Sequence, residues 1–245
     1  MPEGPLPRFS IILPARNEEH RIEQTVETYH RYMQRDCSVP FEIVVVTNAC
    51  TDRTGEIVEG LFAKNPSLRL IDLQEPGKGR AVLRGLAEAK GDIVIFCDSD
   101  GATDAADVLR LLQIVEQGRC DCAIGSRWLP DSKVPIPQPL KRRIASRLFN
   151  LAVRLIFGFP YKDTQCGAKA VNRRASEAIA SGVTALGYHF DCDILWQLKR
   201  AGLSVLEVPI TWRDQGGSGV QVGRDGLKML FGLFKIRVRR STQKG

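Results

Sequence analysis

Short apolar runs alternate with amphipathic segments along the first half of the chain. The runs are rich in β-branched residues and predict strands over residues 9–14, 41–46, 68–73, 91–97 and 120–126. Between the runs, apolar residues recur at helical spacing and predict helices after Asn17, from Thr51, over 81–89 and over 104–117. This regular alternation predicts an α/β fold built on a doubly wound, mostly parallel sheet.

The pattern changes after Arg127. The remaining chain is predicted to hold, in order, a proline-rich loop over 130–139, a basic helix from Leu140, a helix from Arg174, an apolar segment over 186–198 and a strand over 204–212. We interpret residues 1–127 as a Rossmann-like half and residues 128–240 as the second half of one domain, which spans residues 1–240.

Charge and cysteine content narrow the possible partners and compartment. The chain has 245 residues and a net charge of +7, which predicts an anionic partner: a nucleotide, a nucleic acid or an anionic membrane surface. Its 7 cysteines form no CxxC pair, which indicates free thiols in a reducing compartment. The opening MPEGPLPR lacks the apolar core of a signal peptide, and no run approaches the ~18 uncharged apolar residues of a membrane span. We therefore expect a cytoplasmic protein.

Two carboxylates follow the predicted strand over residues 91–97. Asp98 and Asp100 are costly to place at the end of a buried strand unless a cation meets them. Hard divalent cations prefer oxygen ligands, and Mg²⁺ usually takes one or two carboxylates together with substrate phosphates. The motif therefore predicts a clamp for a divalent metal and a diphosphate, at the edge where α/β sheets bind ligands. The alternative is that both acids cap the next helix.

Two further motifs favour an anionic ligand at the same edge. Residues 14–18, PARNE, lie at the carboxyl end of the first strand. The backbone amides after Pro14 open a predicted helix N-terminus, which is a ready anion or nucleotide site. In residues 77–80, GKGR, the glycines allow a phosphate to approach the backbone, and Lys78 and Arg80 neutralise it. The alternatives are an ordinary strand-to-helix turn and a solvated basic turn.

Taken in order, these motifs resemble those of inverting family-2 glycosyltransferases, and in finer detail dolichyl-phosphate glucosyltransferases, with dolichyl-phosphate mannose synthases close behind. The resemblance is carried by residues 14–18, 77–82, 98–103, 163–169, 190–195 and 208–212. It implies a GT-A fold with a nucleotide-sugar-binding half over 1–127 and an acceptor half over 128–240. It also implies that Asp98 and Asp100 bind Mg²⁺ or Mn²⁺.

The resemblance also implies roles for individual side chains. Contacts to the donor are expected from Pro14, Ala15, Arg16, Glu18, Asn48, Lys78, Gly79, Asp98, Ser99 and Asp100. The catalytic group is expected to comprise Asp98, Asp100, Arg127, Asp163, Asp191 and Arg213. In this group, Arg127 and Arg213 would position an acceptor phosphate. Asp163 would orient a basic residue, act as a general base for a hydroxyl acceptor, or cap a turn.

The chain departs from the family after the second strand. The family usually has two acids there, whereas this chain has Thr47 and Asn48. An amide oxygen accepts a hydrogen bond as a carboxylate does, but the amide nitrogen adds a donor. UDP and GDP therefore both remain open as the nucleotide, with UDP favoured by the likeness to the glucosyl subgroup.

Two basic and apolar stretches, over residues 140–157 and 227–240, have helical spacing. Helices of this composition can lie in a membrane interface, with their basic residues on anionic headgroups. The alternative is that both pack on the sheet. We expect a mixture of the two: one face on the protein and a rim in peripheral contact with an anionic membrane, on its cytoplasmic face.

These inferences predict a metal-dependent enzyme that moves a hexose, glucose or mannose, from a UDP- or GDP-hexose to a polyprenyl or dolichyl phosphate. The first alternative is a family-2 enzyme with a soluble hydroxyl acceptor. A sugar nucleotidyltransferase is more remote, because its glycine-rich loop directly follows the first strand. A nucleic-acid-binding module is disfavoured, since the aromatic residues are few and are not interleaved with basic ones.

Overall fold

The structure is a computed structural model that describes residues 6–136, 139–187, 189–216 and 232–238. Its strands are β1 (Phe9–Ala15), β2 (Phe41–Asn48), β3 (Leu68–Leu73), β4 (Ile93–Phe96), β5 (Cys122–Ser126), β6 (Lys133–Ile136), β7 (Lys169–Asn172), β8 (Val205–Pro209) and β9 (Thr211–Arg213). Its helices are α1 (Ile22–Asp36), α2 (Thr54–Gly60), α3 (Lys78–Glu88), α4 (Ala105–Glu116), α5 (Leu140–Phe157), α6 (Arg173–Gly182) and α7 (Phe190–Arg200). Residues 232–238 are also helical.

The main sheet has seven strands in the order β3-β2-β1-β4-β7-β5-β8. β1 pairs in parallel with β2 and β4, β2 with β3, and β5 with β8. β7 lies between β4 and β5 and is antiparallel to both. Strands from both predicted halves of the chain therefore share one sheet. A separate pair, β6 and β9, is also parallel.

Alternating residues of each strand feed two apolar cores, one on each face of the sheet. In β1, Ile11 and Leu13 pack into the core that contains residues of α1, α2 and α4. Ile12 between them packs into the core that contains residues of α3, α5, α6 and α7. The sheet is thus covered on both faces, as expected of a mostly parallel sheet with continuous apolar strands.

The predicted α/β alternation is confirmed up to β5, with shifts at the element ends. The helix expected directly after Asn17 begins only at Ile22. The single strand expected over residues 204–212 is interrupted at Ile210, which separates β8 from β9. The apolar segment over 186–198 forms most of α7. The domain boundaries stay a prediction.

Two strands lie where no strand was expected. β6 falls in the proline-rich region and pairs only with β9, which agrees with the preference of proline for edge positions. β7 has only four residues, Lys-Ala-Val-Asn, too few for a period-two pattern to stand out. The fully buried Lys169 at its start further obscures the strand signal.

The first predicted basic stretch is a helix, α5, with the expected bounds of residues 140–157. The second, over 227–240, lies largely outside the described residues. Within its described part, Leu233 and Ile236 are buried in the core that also holds Val153 and Phe157 of α5. Across the ranges that the structure describes, no helix is both long and apolar enough to span a membrane.

The close packing of α3 on β1 makes a testable prediction. A Cβ atom on Gly85 of α3 would lie 2.5 Å from Cγ2 of Ile12. We expect Gly85→Ala to lower the free energy of unfolding by about 1–3 kcal/mol, because the buried strand side chain must move. Urea unfolding measures the change.

Gly55 of α2 is the matched control, since an added Cβ there meets no atom within 4 Å. Gly55→Ala should leave stability unchanged or raise it by about 0.4–1 kcal/mol through the unfolded chain. Equal stability of the two variants would contradict the packing described for α3.

Candidate active site

The predicted site residues gather at one edge of the main sheet. Asp98 follows β4 and Arg127 follows β5 at the carboxyl ends of these parallel strands. β7 runs in the opposite direction, so its first residue, Lys169, lies at this same edge. The segment before β7, which contains Asp163, is thereby brought to the ends of β4 and β5.

Lys78, the first residue of α3, forms an ion pair with Asp98. Its Nζ lies 2.5 Å from Oδ1 of Asp98. Burial alone would lower the pKa of Lys78, but the Asp98 carboxylate raises it above its usual value. Burial likewise opposes ionisation of Asp98, yet the charge of Lys78 holds the pKa of Asp98 below its usual value. Both groups are therefore charged near neutral pH.

The pKa of Asp100 is shifted in the opposite direction from that of Asp98. Burial and then the charge of Asp98 raise the pKa of Asp100, while its Oδ1 accepts the N–H of Ala102 at 3.0 Å. Between the two acids, the Ser99 hydroxyl donates to the carbonyl of Pro14 at 3.0 Å and ties this turn to the end of β1. A divalent cation would relieve the repulsion that raises the pKa of Asp100.

The donor set of this turn fits such a cation. Two carboxylates offer hard oxygen ligands, as Mg²⁺ and Mn²⁺ prefer. The described residues contain no group of three or more acidic, histidine or cysteine side chains that could hold a metal. The protein would therefore supply two ligands, and a bound diphosphate would be needed for further ones.

Gly167 closes the site behind Asp98. A Cβ atom at position 167 would lie 2.2 Å from Oδ2 of Asp98, so any other residue there would have to displace this carboxylate. Gly79 of the basic loop is similarly confined, since an added Cβ would lie 2.7 Å from the ring of Phe190. Both glycines allow close approach of the backbone to a neighbouring side chain.

Arg127 and Asp163 form a buried, bidentate ion pair. Nε and Nη2 of Arg127 donate to the two carboxylate oxygens at 2.7 and 2.9 Å, and the Arg127 N–H donates at 3.0 Å. Burial opposes the charge of Asp163, but Arg127 holds the pKa of that carboxyl below its usual value. This is the contact expected of an acid that orients a basic residue, and the role itself stays a prediction.

The backbone on either side of Asp163 is held by two polar side chains that the sequence analysis missed. Glu207 of β8 accepts the N–H groups of Lys162 at 2.9 Å and Asp163 at 2.7 Å. Asn150 of α5 accepts the N–H of Thr164 at 3.0 Å and donates to the carbonyl of Lys162 at 2.6 Å. α5 is thus bonded directly to the segment that positions Arg127.

Asp191 is paired as well. Its carboxylate lies 2.5 Å from Nζ of Lys169, which is fully buried and also donates to the carbonyl of Cys166 at 2.6 Å. Lys169 was not among the predicted site residues, although a lysine inside an apolar strand is a signal for a buried ion pair. Asp193, two residues further along α7, is fully buried and accepts the N–H groups of Thr184 and Ala185.

Arg213 forms its hydrogen bonds with residues other than Arg127 and Asp163. Its guanidinium pairs with Asp104, the N-cap of α4, at 3.1 Å, and its N–H donates to the carbonyl of Ala102. The neighbouring Trp212 instead faces Arg127, whose guanidinium carbon lies 5.3 Å from the Trp212 ring. The predicted role of Arg213 at an acceptor phosphate stays a prediction.

The PARNE segment differs from the expected anion site. The N–H groups of Asn17, Glu18 and Glu19 donate to Cys50, Thr54 and Asp52, so they are already occupied. The expectation that these amides open a helix N-terminus for an anion is therefore wrong, because α1 starts four residues later than Glu18, at Ile22.

One side chain of this segment, Glu18, nevertheless feels the charges of the turn that holds Asp98 and Asp100. Ala15 is buried and Arg16 is exposed. Glu18 pairs with Arg21 at 2.7 Å, and burial raises the pKa of Glu18. The charges of Asp100 and Asp98 raise this pKa further. Arg21 is a neighbour that the sequence analysis missed.

Asn48 links three loops at this edge. Its amide nitrogen donates to the carbonyl of Ala15 at 2.8 Å, and its oxygen accepts the N–H of Gly77 at 3.1 Å. Thr47 beside it donates to Asp72 of β3 at 2.6 Å. The neighbouring strand thus places a carboxylate next to the position where the family usually has one, which the sequence alone did not indicate.

A cavity of about 300 Å³ opens beside Arg127. We call it the Arg127 cavity; its lining residues are Arg127, Trp128, Val134, Arg143, Ser146, Arg147 and Trp212. The guanidinium carbon of Arg127 lies 5.6 Å from the Trp128 ring and 5.3 Å from the Trp212 ring. A basic, aromatic-walled cavity thus adjoins the sheet edge that carries Asp98.

Residues 10–180 match the family model described as Glycosyl transferase family 2. The chain belongs to glycosyl transferase family 2. This match confirms the resemblance found in the sequence, and it favours a glycosyltransferase over the nucleotidyltransferase and nucleic-acid-binding alternatives.

Similar curated family members come from several organisms. Glycosyltransferase AglD of Haloferax volcanii is 36% identical over 90% of this chain, which spans only 35% of that relative's length. The dolichyl-phosphate beta-glucosyltransferase of Saccharomyces cerevisiae is 31% identical, covering 94% of this chain and 74% of the relative. Its counterpart in Dictyostelium discoideum is 29% identical with the same two coverages.

Solved structures support the GT-A fold. Glucosyl-3-phosphoglycerate synthase from Mycobacterium tuberculosis in complex with UDP superposes with a TM-score of 0.71, over 98% of this chain and 83% of that one. At 22% identity, this likeness shows the fold alone. The family-2 chain therefore has the predicted mostly parallel α/β architecture of GT-A glycosyltransferases.

The burial of the Arg127–Asp163 pair in this family-2 chain predicts a large effect of Asp163→Asn on stability, which is independent of pH above about pH 5. Removing one partner of a buried ion pair costs about 3–5 kcal/mol of folding stability. The folded-state pKa of Asp163 lies below the ordinary value of ~3.9, so this stability is present above pH ~4 and is lost only as pH falls through the folded-state pKa. Urea unfolding between pH 8 and pH 5 should give a constant difference.

The double variant Arg127→Gln/Asp163→Asn is the control, because it removes both charges and should recover part of the loss. A single variant as stable as the wild type at pH 7, or a difference that already vanishes at pH 6, would contradict the assignment.

Proposed function

We propose that this family-2 enzyme transfers a hexose from a nucleotide sugar to a polyprenyl phosphate at a membrane surface, with inversion at the anomeric carbon. The observation that carries the proposal is the position of Arg127. It is oriented by the buried Asp163 and lines a cavity beside α5, whose outer face is apolar and exposed.

The donor side of the proposed reaction uses the turn after β4. Asp98 and Asp100 would hold Mg²⁺ or Mn²⁺ on the donor diphosphate. With the cation bound, the site gains charge stabilisation for the departing nucleoside diphosphate. Lys78 lies 2.5 Å from Asp98 and is placed to neutralise a phosphate at the start of α3. The UDP sugar is the proposed donor, on the likeness to the glucosyl relatives.

The acceptor side favours a phosphate over a hydroxyl nucleophile. A hydroxyl acceptor needs a general base, whereas a phosphate oxygen is already ionised near neutral pH. The two candidate bases are both engaged in ion pairs, Asp163 with Arg127 and Asp191 with Lys169. Asp163 accepts hydrogen bonds from Nε and Nη2 of Arg127. The remaining guanidinium nitrogen, Nη1, is then the group that would donate to an anion in the Arg127 cavity.

The outer face of α5 supports a membrane-bound acceptor. Five large apolar side chains recur at spacings of three and four residues along it and are between 48% and 77% exposed: Leu140, Ile144, Leu148, Leu151 and Leu155. Such a stripe, bordered by Arg143 and Arg147, has the composition of a helix that lies in the bilayer interface. The curated relatives named dolichyl-phosphate beta-glucosyltransferases agree with a lipid-phosphate acceptor.

We therefore assign the enzyme a peripheral position on the cytoplasmic face of a membrane. The free cysteines among the described residues agree with a reducing compartment. Transfer to a soluble hydroxyl acceptor is the second candidate. It would require Asp163 or Asp191 to leave its ion pair, and it gives no reason for the exposed stripe of α5.

The metal-binding turn makes the first prediction for activity. Asp98→Asn and Asp100→Asn should each lower kcat by about 100-fold or more, the order expected when one group of a preorganised electrostatic site is lost. Turnover of UDP-glucose with Mn²⁺ measures this, with circular dichroism to show that each variant is folded. Asp92→Asn, at the opposite end of β4, is the matched control and should keep full activity.

Full activity of both variants, or full activity in excess EDTA, would falsify the metal role. The same assay with GDP-mannose and a thermal-shift panel of UDP and GDP with Mn²⁺ tests the donor, because a true ligand stabilises the folded state by mass action. Binding of GDP tenfold tighter than UDP would reverse the proposed choice of nucleotide.

The exposed stripe predicts membrane association that depends on α5. The protein should sediment with anionic vesicles and not with zwitterionic ones, and less as salt rises, because charge attraction is screened over ~8 Å at physiological ionic strength. Ile144→Gln/Leu148→Gln/Leu155→Gln should lose this association. Phe62→Gln, an exposed apolar residue outside α5, should not.

Arg127→Ala separates acceptor from donor effects. It should reduce transfer to a polyprenyl phosphate far more than it weakens donor binding, which calorimetry measures. Absence of vesicle association at low salt, together with efficient transfer to a soluble hydroxyl acceptor and none to polyprenyl phosphate, would overturn the proposed function.

A further inference from the structure

A second cavity, of about 360 Å³, lies next to the Arg127 cavity. We call it the Arg154 cavity; its lining residues are Trp128, Arg147, Asn150, Leu151, Arg154 and Lys162. Trp128 and Arg147 line both cavities, and the Arg147 guanidinium carbon stacks 4.3 Å from the Trp128 ring. This stacked pair therefore forms a shared wall, with Arg127 on one side and Arg154 on the other.

Among the residues that the structure describes, no acid neutralises the cations of the Arg154 cavity. No described carboxylate forms an ion pair with Arg147, Arg154 or Lys162, and Nε of Arg154 is buried without a hydrogen-bond partner. Elsewhere in the described chain, many arginines are paired with acids, among them Arg8, Arg21, Arg69, Arg84 and Arg110. Three unpaired cations around one cavity repel one another, and an anionic ligand would relieve that repulsion.

The surroundings of the cavity indicate that this anion is amphiphilic. Leu151 lines the cavity and also belongs to the exposed apolar stripe of α5. Arg147 and Arg154 are seven residues apart, two helical turns, so they lie on one side of α5 next to that stripe. A ligand with a phosphate in the cavity can therefore lay its apolar chain along Leu151 without crossing the protein.

We propose that the Arg154 cavity is a second phosphate subsite, which binds the headgroup phosphate of an anionic glycerophospholipid while the Arg127 cavity takes the acceptor. The proposal rests on the proposed function for the orientation of α5 at a membrane. Arg154 and Lys162 bind the phosphodiester, and Trp128 with Arg147 separates it from the acceptor phosphate. A bound phospholipid would hold α5 in the plane of the interface.

Calorimetry with a water-soluble short-chain lipid tests the subsite without vesicles or turnover. Dihexanoyl-phosphatidylglycerol, below its micelle concentration, is titrated into the full chain and into Arg154→Gln and Lys162→Gln. We expect a Kd at least tenfold weaker in either variant. Arg31→Gln on α1, which lies on the other face of the sheet, removes the same charge and should stay within twofold of the wild type.

Titrations of two further compounds identify the class of ligand. Dihexanoyl-phosphatidylcholine and inorganic phosphate should both bind more weakly than the phosphatidylglycerol, since one lacks net charge and the other lacks the apolar chains. Equal binding of inorganic phosphate would overturn the lipid assignment in favour of a free phosphate. Equal binding of phosphatidylglycerol by Lys162→Gln and the wild type would overturn the subsite, and because Lys162 is exposed that variant keeps its fold.

Transfer to a short-chain polyprenyl phosphate in lipid-free solution distinguishes the two proposals. A loss of transfer in Arg154→Gln as large as its loss of lipid binding would overturn the second subsite, because the cavity would then belong to the acceptor site. Absence of transfer in the wild type, with lipid binding that depends on Arg154 and Lys162, would overturn the proposed function and support the subsite.

Discussion

The buried ion pair of Asp163 and Arg127 is the interaction on which the rest of the site depends. A carboxylate without exposed surface is stable only if its charge and its hydrogen-bonding capacity are met. Arg127 meets the charge through three hydrogen bonds, while Glu207 and Asn150 hold the adjoining backbone. Because these partners belong to β8, α5 and the end of β5, one buried acid fixes three parts of the fold relative to one another.

The antiparallel strand β7 explains how that acid reaches the ligand edge. In an all-parallel arrangement, the segment before a strand lies at the opposite edge of the sheet from its carboxyl end. β7 is reversed, so the segment 163–168 lies beside the turn after β4, where Gly167 contacts Asp98. Lys169 at the start of β7 then reaches Asp191 of α7. A four-residue strand thus brings Arg127 and Lys169 together with three acids, Asp98, Asp163 and Asp191.

The sequence predicts this molecule best where a pattern is long and local. Continuous apolar strands and amphipathic helices predicted the alternation up to β5. The motif at 98–100 marked a turn at the ligand edge of the sheet, and metal binding there stays a prediction. β7 escaped prediction because its four residues carry no period and include a buried lysine. Asn150 and Glu207 escaped because they act on backbone groups 14 and 44 residues away, and nothing in the local sequence marks such a partner.

The net charge is another property whose value follows from the sequence but whose location on the molecule does not. A value of +7 predicts an anionic partner but not where it binds. In the structure, many of the described arginines are neutralised by neighbouring acids, whereas Arg143, Arg147 and Arg154 of α5 line two cavities beside an exposed apolar stripe. The same helix carries Asn150, which is bonded to the segment that holds Asp163. The surface proposed to meet lipid and the arginine proposed to meet the acceptor are therefore connected through two buried side chains, Asn150 and Asp163.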